Sequence, residues 1–207
     1  MFKRHWFGMN LPETLKFYAC CELLCDTAQE RKEMRRYLAR NDLFFLLVDV
    51  LGRSDLIVPW LFERCREVQL SPNGHLDLWA REHYKSTIIT FGLTIFDIIN
   101  DPEITIGIFS FNKPTARAFL RQIKYELESN TDLHRLFPDI LYADPKKESP
   151  RWSEDAGIVV KRKSNPKEST VEGHGLVDGQ PTGRHFLLRV YDDVVTLESV
   201  TSPEMIH

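Results

Sequence analysis

The sequence predicts an α/β fold, a mainly parallel sheet with flanking helices joined to an N-terminal helical annex. Three observations predict it. Residues 104–111 carry apolar side chains on both faces of a strand, as expected of a central parallel strand. Residues 114–128 place Ala116, Phe119, Leu120, Ile123 and Leu127 at helical spacing, with Arg117, Arg121 and Lys124 facing away. Residues 157–161 and 186–191 read as further strands, and strand–helix–strand order favours parallel pairing.

The remaining elements follow in chain order. Thr27 followed by Glu30 is a capping-box pattern that opens a helix reaching about residue 40, where Asn41 and Asp42 interrupt it. Residues 43–50 are apolar, and Gly52 ends that run. Residues 55–69 read as a helix that Pro59 kinks or starts late. Residues 75–79 can form a short strand. Residues 86–99 then form a helix whose only charge is Asp97, so it needs cover on most sides. Gly173, Gly175, Gly179, Pro181 and Gly183 read as a turn-rich loop between strands.

With 207 residues, one domain plus an extension is expected, divided as an annex over 1–70 and a core over 71–207. A net charge of -3 gives no global positive field, so any nucleic-acid contact must come from a local patch. The annex carries 11 Lys/Arg against 10 Asp/Glu and is not a basic arm. Four cysteines do not make a disulfide scaffold in a chain this long, and reduced thiols are expected. Cys20, Cys21 and Cys25 lack the further ligands that a metal site needs and read as buried small residues. No apolar run approaches the roughly 20 residues of a spanning helix, and Asn10, Pro12, Glu13 and Lys16 interrupt any signal-peptide core.

Two clusters carry chemistry. Lys85-Ser86-Thr87 stands where a strand would turn into a helix. In a P-loop, such a turn offers backbone N–H groups to phosphates, a Lys reaches the β/γ-phosphates, and the next hydroxyl holds Mg²⁺. The two glycines of G-x-x-x-x-G-K-[ST] are replaced by Trp79 and Tyr84. A left-handed backbone at Tyr84 would cost about 1–2 kcal/mol. The second cluster is Asp192-Asp193, an acidic pair ending the strand at 186–191. A carboxylate there can hold Mg²⁺ through water while its neighbour orients the attacking water. Arg189 within that strand implies an edge position or a carboxylate partner.

These residues resemble the ATPase domain of the large subunit of tailed-phage terminases, the DNA-packaging motors. The segment Trp79-Ala-Arg-Glu-His-Tyr-Lys-Ser-Thr87 is similar to that family's deviant P-loops, which carry an Arg four positions before the Lys, as Arg81 stands before Lys85. The strand at 104–111, the helix at 114–128, Gly183-Arg184 and Asp192-Asp193 fill the family's later places. The resemblance covers about residues 70–207 and implies a P-loop NTPase fold of the RecA-like (ASCE) type. It implies an ATP seat at Ala80, Arg81, Glu82, His83, Tyr84, Lys85, Ser86 and Thr87. Lys85 would contact the β/γ-phosphates and Arg81 would stabilise the γ-phosphate. Ser86 would ligate Mg²⁺, with Asp192 holding it through water. Asp193 stands where the family often has a catalytic Glu, on a shorter side chain.

By the same resemblance the cofactors are ATP and Mg²⁺. The partners are double-stranded viral DNA, the portal protein and the small terminase subunit. The full-length protein would be a homo-oligomer on the portal, soluble in the host cytoplasm. The family's coupling motif and RNase H-like nuclease domain have no counterpart before His207, so a truncated frame or fragment without nuclease activity is expected. Lys161, Arg162, Lys163 and Lys167 form a candidate DNA-contacting loop. His174 and His185 read as loop residues. Two other readings use the same residues: a helicase-like P-loop ATPase, and a non-hydrolysing phage assembly or DNA-binding domain whose P-loop has decayed. Serine-hydrolase and Rossmann signatures are lacking.

Overall fold

The computed structural model describes residues 5–71, 74, 76–80, 82–177, 182–195 and 201. The chain forms two compact units. One comprises Met1–Phe96 with Thr131–Phe137, and the other Asp97–Asn130 with Pro138–His207. Residues 71–96 thus group with the N-terminal helices.

The first unit is helical. Helix α1 (Leu11–Leu23) starts with a capping box between Asn10 and Glu13. Helix α2 (Ala28–Asn41) starts with the expected box between Thr27 and Glu30. Asp42 ends α2 and caps α3 (Leu43–Phe45), accepting the N–H groups of Phe44 and Phe45 at 3.1 and 3.3 Å. The chain continues into wider π-helical turns over Leu46–Val50. This is the apolar run of the sequence, and Leu43 through Leu47 are wholly buried. Helix α4 (Pro59–Leu70) begins at its proline, whose missing N–H costs nothing in a first turn.

Asp42 organises this unit. It is 0% exposed and receives Trp6 Nε1–H at 3.0 Å, the Tyr18 hydroxyl at 2.5 Å and the Arg66 guanidinium at 2.8 Å. Arg66 also lies over the Phe7 ring at 4.1 Å. A buried carboxylate is tolerable only when paired in this way, and losing one partner would be strongly destabilising.

A helix opens at Lys85, winds as π-helix over Thr87–Leu93, and ends as α5 (Thr94–Asn100). Gly92 allows it to approach the apolar run, because a Cβ there would lie 2.5 Å from Leu47 Cδ2. Helix α7 (Thr131–Leu136) also belongs to this unit, tied by Arg35, which meets Glu22, Asp49 and Asp132 at 3.1, 3.3 and 3.1 Å.

The second unit is a five-stranded sheet in the order β2-β3-β4-β1-β5: β1 Ile106–Ser110, β2 Trp152–Ser153, β3 Gly157–Ile158, β4 Val171–Gly175 and β5 Leu188–Tyr191. Strands β4, β1 and β5 are parallel, and β3 and β2 add an antiparallel wing. Ile106 lies opposite Val171 and Leu188, and Phe109 opposite His174 and Tyr191. Helix α6 (Lys113–Ser129) begins at Asn112, whose side chain accepts Thr115 N–H, and buries Ala116, Leu120, Ile123 and Leu127. A four-residue helix, α8 (Pro145–Glu148), precedes β2.

Two expectations are corrected. Residues 76–80 form no strand, and His75 lies outside the described residues. The turn-rich reading of Gly173 and Gly175 fails, because both belong to β4, the strand beside β1. Gly173 is there for packing: a Cβ would lie 3.0 Å from the Ala116 carbonyl oxygen of α6. Gly179 and Pro181 lie outside the described residues, while Gly183 takes φ +73°.

Candidate functional site

The turn ahead of Lys85 is built from alternating backbone handedness. Glu82 has φ +63° and Tyr84 φ +60°, while His83 between them stays on the negative side. The Tyr84 carbonyl accepts Ile88 N–H at 2.9 Å, so Tyr84 is the residue from which the helix springs. Helix-starting residues normally carry extended backbone. A tyrosine in the left-handed region instead costs about 1–2 kcal/mol and persists only where its surroundings impose it. Alternating turns of this kind bring successive N–H groups to one side and make an anion-binding concavity. The first turn of the helix adds amides that lie outside its own ladder, and its dipole favours negative charge.

Tyr84 is held by residues of its own unit. The Arg53 guanidinium lies 5.8 Å from its ring centre. Arg53 forks onto Asp55 at 3.0 and 2.7 Å. These hydrogen bonds, with a smaller contribution from the Tyr84 hydroxyl, hold the Asp55 carboxyl below the usual carboxylate range. Trp60 stands 6.2 Å from Trp79 and 5.4 Å from His83, ring centre to ring centre. Ala80, Glu82 and His83 are exposed, and Tyr84, Lys85, Ser86 and Thr87 are half-buried. Arg81 lies outside the described residues.

In the second unit, the acidic pair closes the end of β5. Asp192 is 2% exposed, donates its N–H to the Phe109 carbonyl at 2.9 Å, and accepts the Ser110 hydroxyl on its own carbonyl at 2.6 Å. Asp193 is exposed, takes φ +51°, and accepts Phe111 N–H at 3.0 Å. Leu176 N–H reaches the Ser110 carbonyl at 2.9 Å. The C-terminal ends of β4, β1 and β5 therefore form one edge, the place where open parallel sheets bind ligands. Arg189 is exposed on β5, which is an edge strand of the described sheet.

The basic segment is divided in use. Lys161 Nζ donates to the Pro138 carbonyl at 2.9 Å, and Arg162 Nη2 donates to the Glu168 carbonyl at 2.8 Å. Burial lowers the Arg162 pKa. Lys163 and Lys167 have exposed side chains.

His174, expected in a loop, is a strand residue. Its Nε2 lies 3.1 Å from Glu172 Oε2, and Glu172 also accepts Ser169 N–H at 2.7 Å and faces Arg184 at 3.4 Å. Burial pushes the Glu172 carboxyl up, but these partners outweigh it and hold it below its ordinary value. Phe109, His174 and Tyr191 form a row across three strands, with ring centres 5.5 and 5.1 Å apart. The sequence gives a usable signal only in the alternation of Glu172 and His174, which the glycines hide.

Among the described residues, no group of three or more His, Cys, Asp or Glu side chains could hold a metal ion. The Ser86 hydroxyl in the first unit and the Asp192 carboxylate in the second are each hard oxygen donors of the type Mg²⁺ takes. No helix of the described residues is long and apolar enough to cross a membrane. Comparison with known proteins found no matching family model, no matching curated protein and no matching solved structure.

Proposed function

We propose that this chain is the ATP-binding part of a viral DNA-packaging terminase large subunit, a P-loop ATPase of the RecA-like type that couples hydrolysis to movement of double-stranded DNA. The left-handed Tyr84 immediately before Lys85 carries this reading. The second glycine of a P-loop serves that backbone conformation, and here a tyrosine adopts it at the motif's spacing. Lys85, first in the helix, would meet the β/γ-phosphates, and the turn amides would cradle them.

By the resemblance, Ser86 is the residue to ligate Mg²⁺, and Asp192 the carboxylate to act on the ion through water. The ion, when bound, neutralises charge on the transferring phosphoryl group. Asp192 is buried at the end of β5, and its main chain is tied to Phe109 and Ser110. Asp193, exposed beside it, is the residue to orient water. Arg81 would stabilise the γ-phosphate, Ala80 and Glu82 complete the turn, and Thr87 stands beside Ser86. Lys163 and Lys167, with exposed side chains, are the members of the basic segment suited to DNA phosphates.

The test is ATP hydrolysis with Mg²⁺ by the purified chain, with and without duplex DNA. Wild type should turn over ATP, and Asp192→Asn should lose turnover while keeping nucleotide affinity within a few-fold. Equal turnover in the two proteins would remove the Asp192 assignment.

A further inference from the structure

The aromatic residues beside the phosphate turn are not used by the function above. We propose that Trp60, Trp79 and His83 form the seat of the nucleotide's purine base, an inference that rests on the phosphate reading of the turn.

The observations are local to the first unit. Trp60 is the second residue of α4, whose N-cap residue, Val58, makes no side-chain cap, so the ring stands at an uncapped helix start. It remains 38% exposed, and His83 beside it is exposed. Trp60 and Trp79 meet edge to face at 71°, and His83 tilts at 53° to Trp60. In a T-shaped contact the edge of one ring meets one face of the other, so only one of the four ring faces is covered, whereas stacking covers two. Trp79 and His83 flank the segment that contains the left-handed Glu82, and His83 directly precedes Tyr84. Ring seat and phosphate seat are thus parts of one turn, and a nucleotide also joins a flat aromatic group to phosphates through one short link. Trp60, distant in sequence, supplies the further ring that closes the cluster. Tyr84 is turned to Arg53 and Asp55 and serves as anchor.

Stacking on exposed rings accepts any base and gains most from the largest π-surface. The proposal therefore fixes a ligand class, purine nucleoside triphosphates ahead of pyrimidine ones. It assigns no hydrogen-bonding discrimination between adenine and guanine.

The experiment is calorimetric titration of the full chain, in Mg²⁺, with ATP, UTP and inorganic tripolyphosphate, which has the phosphates and no base. Wild type, Trp60→Leu, Trp60→Phe and Lys85→Ala are compared after circular dichroism establishes native helix content. Trp60→Leu should weaken ATP about tenfold, leave tripolyphosphate unchanged, and erase the preference for ATP over UTP. Trp60→Phe, which keeps a ring, should restore most of the ATP affinity. Lys85→Ala should weaken ATP and tripolyphosphate together. If Trp60→Leu leaves ATP unchanged, or weakens ATP and tripolyphosphate equally, the base seat is wrong while a Lys85 effect keeps the phosphate reading. If wild type binds none of the three ligands, both readings fall.

Discussion

The hydroxyl of Ser110 donates to the main-chain carbonyl of Asp192 at 2.6 Å, fastening the end of β1 to the residue that ends β5. Both residues are buried, so the bond has no water to replace it. Ser110→Ala should cost about 1–3 kcal/mol, because a buried acceptor loses its side-chain donor. Urea unfolding measures this. A loss under a few tenths would show that the stitch does not set the geometry of Asp192.

Tyr84 offers a test of strain. Tyr84→Gly should keep MgATP affinity near wild type, since glycine adopts φ +60° without penalty. Tyr84→Val should lose nucleotide binding, because a β-branched side chain resists that conformation. Binding in the order Val above Gly would contradict the left-handed turn.

The glycines of the sheet separate by cause. A Cβ at Gly157 would lie 2.5 Å from the Val171 carbonyl oxygen, at φ +86°. At Gly173 the conformation is ordinary and the contact is 3.0 Å from the Ala116 carbonyl oxygen. Gly157→Ala should therefore cost about 2–4 kcal/mol, from a strained φ together with overpacking, and Gly173→Ala less. Unfolding midpoints of the two variants give the order, and a reversal would displace the assigned packing of β4.

Burial pushes the Asp97 carboxyl up to about 6 from an ordinary 3.8. A carboxyl raised in the folded state favours the protonated folded protein. Its contribution is fully present below about pH 4 and is lost as pH rises through 6. Asp97→Asn should therefore be more stable than wild type at pH 8, by on the order of 1–3 kcal/mol, with the gap closing toward pH 4. A difference that does not vary with pH would mean Asp97 is solvated.

What the sequence reveals depends on whether a residue's neighbours are near in the chain. Helix α6 is legible because one face repeats Ala116, Leu120, Ile123 and Leu127, and these are the residues it buries. The start of α2 is legible because Thr27 and Glu30 cap each other locally. Strand β4 is hidden because Gly173 mimics a turn while answering to Ala116, 57 residues earlier in the chain. The strand expected over residues 75–79 does not form in the described residues 76–80, with which no strand pairs. Tyr84 is legible as a position needing left-handed backbone, from its spacing to Lys85. That Trp60 joins Trp79 and His83 is written nowhere in local pattern, because helix α4 and the turn meet only in the folded unit.

If the turn at Glu82–Ser86 takes a triphosphate through Lys85, equilibrium titration of wild type and Lys85→Ala with MgATP will separate the two proteins. Wild type should bind saturably and the variant at least tenfold more weakly, with unchanged circular dichroism. Equal affinity in the two proteins would contradict that role of Lys85.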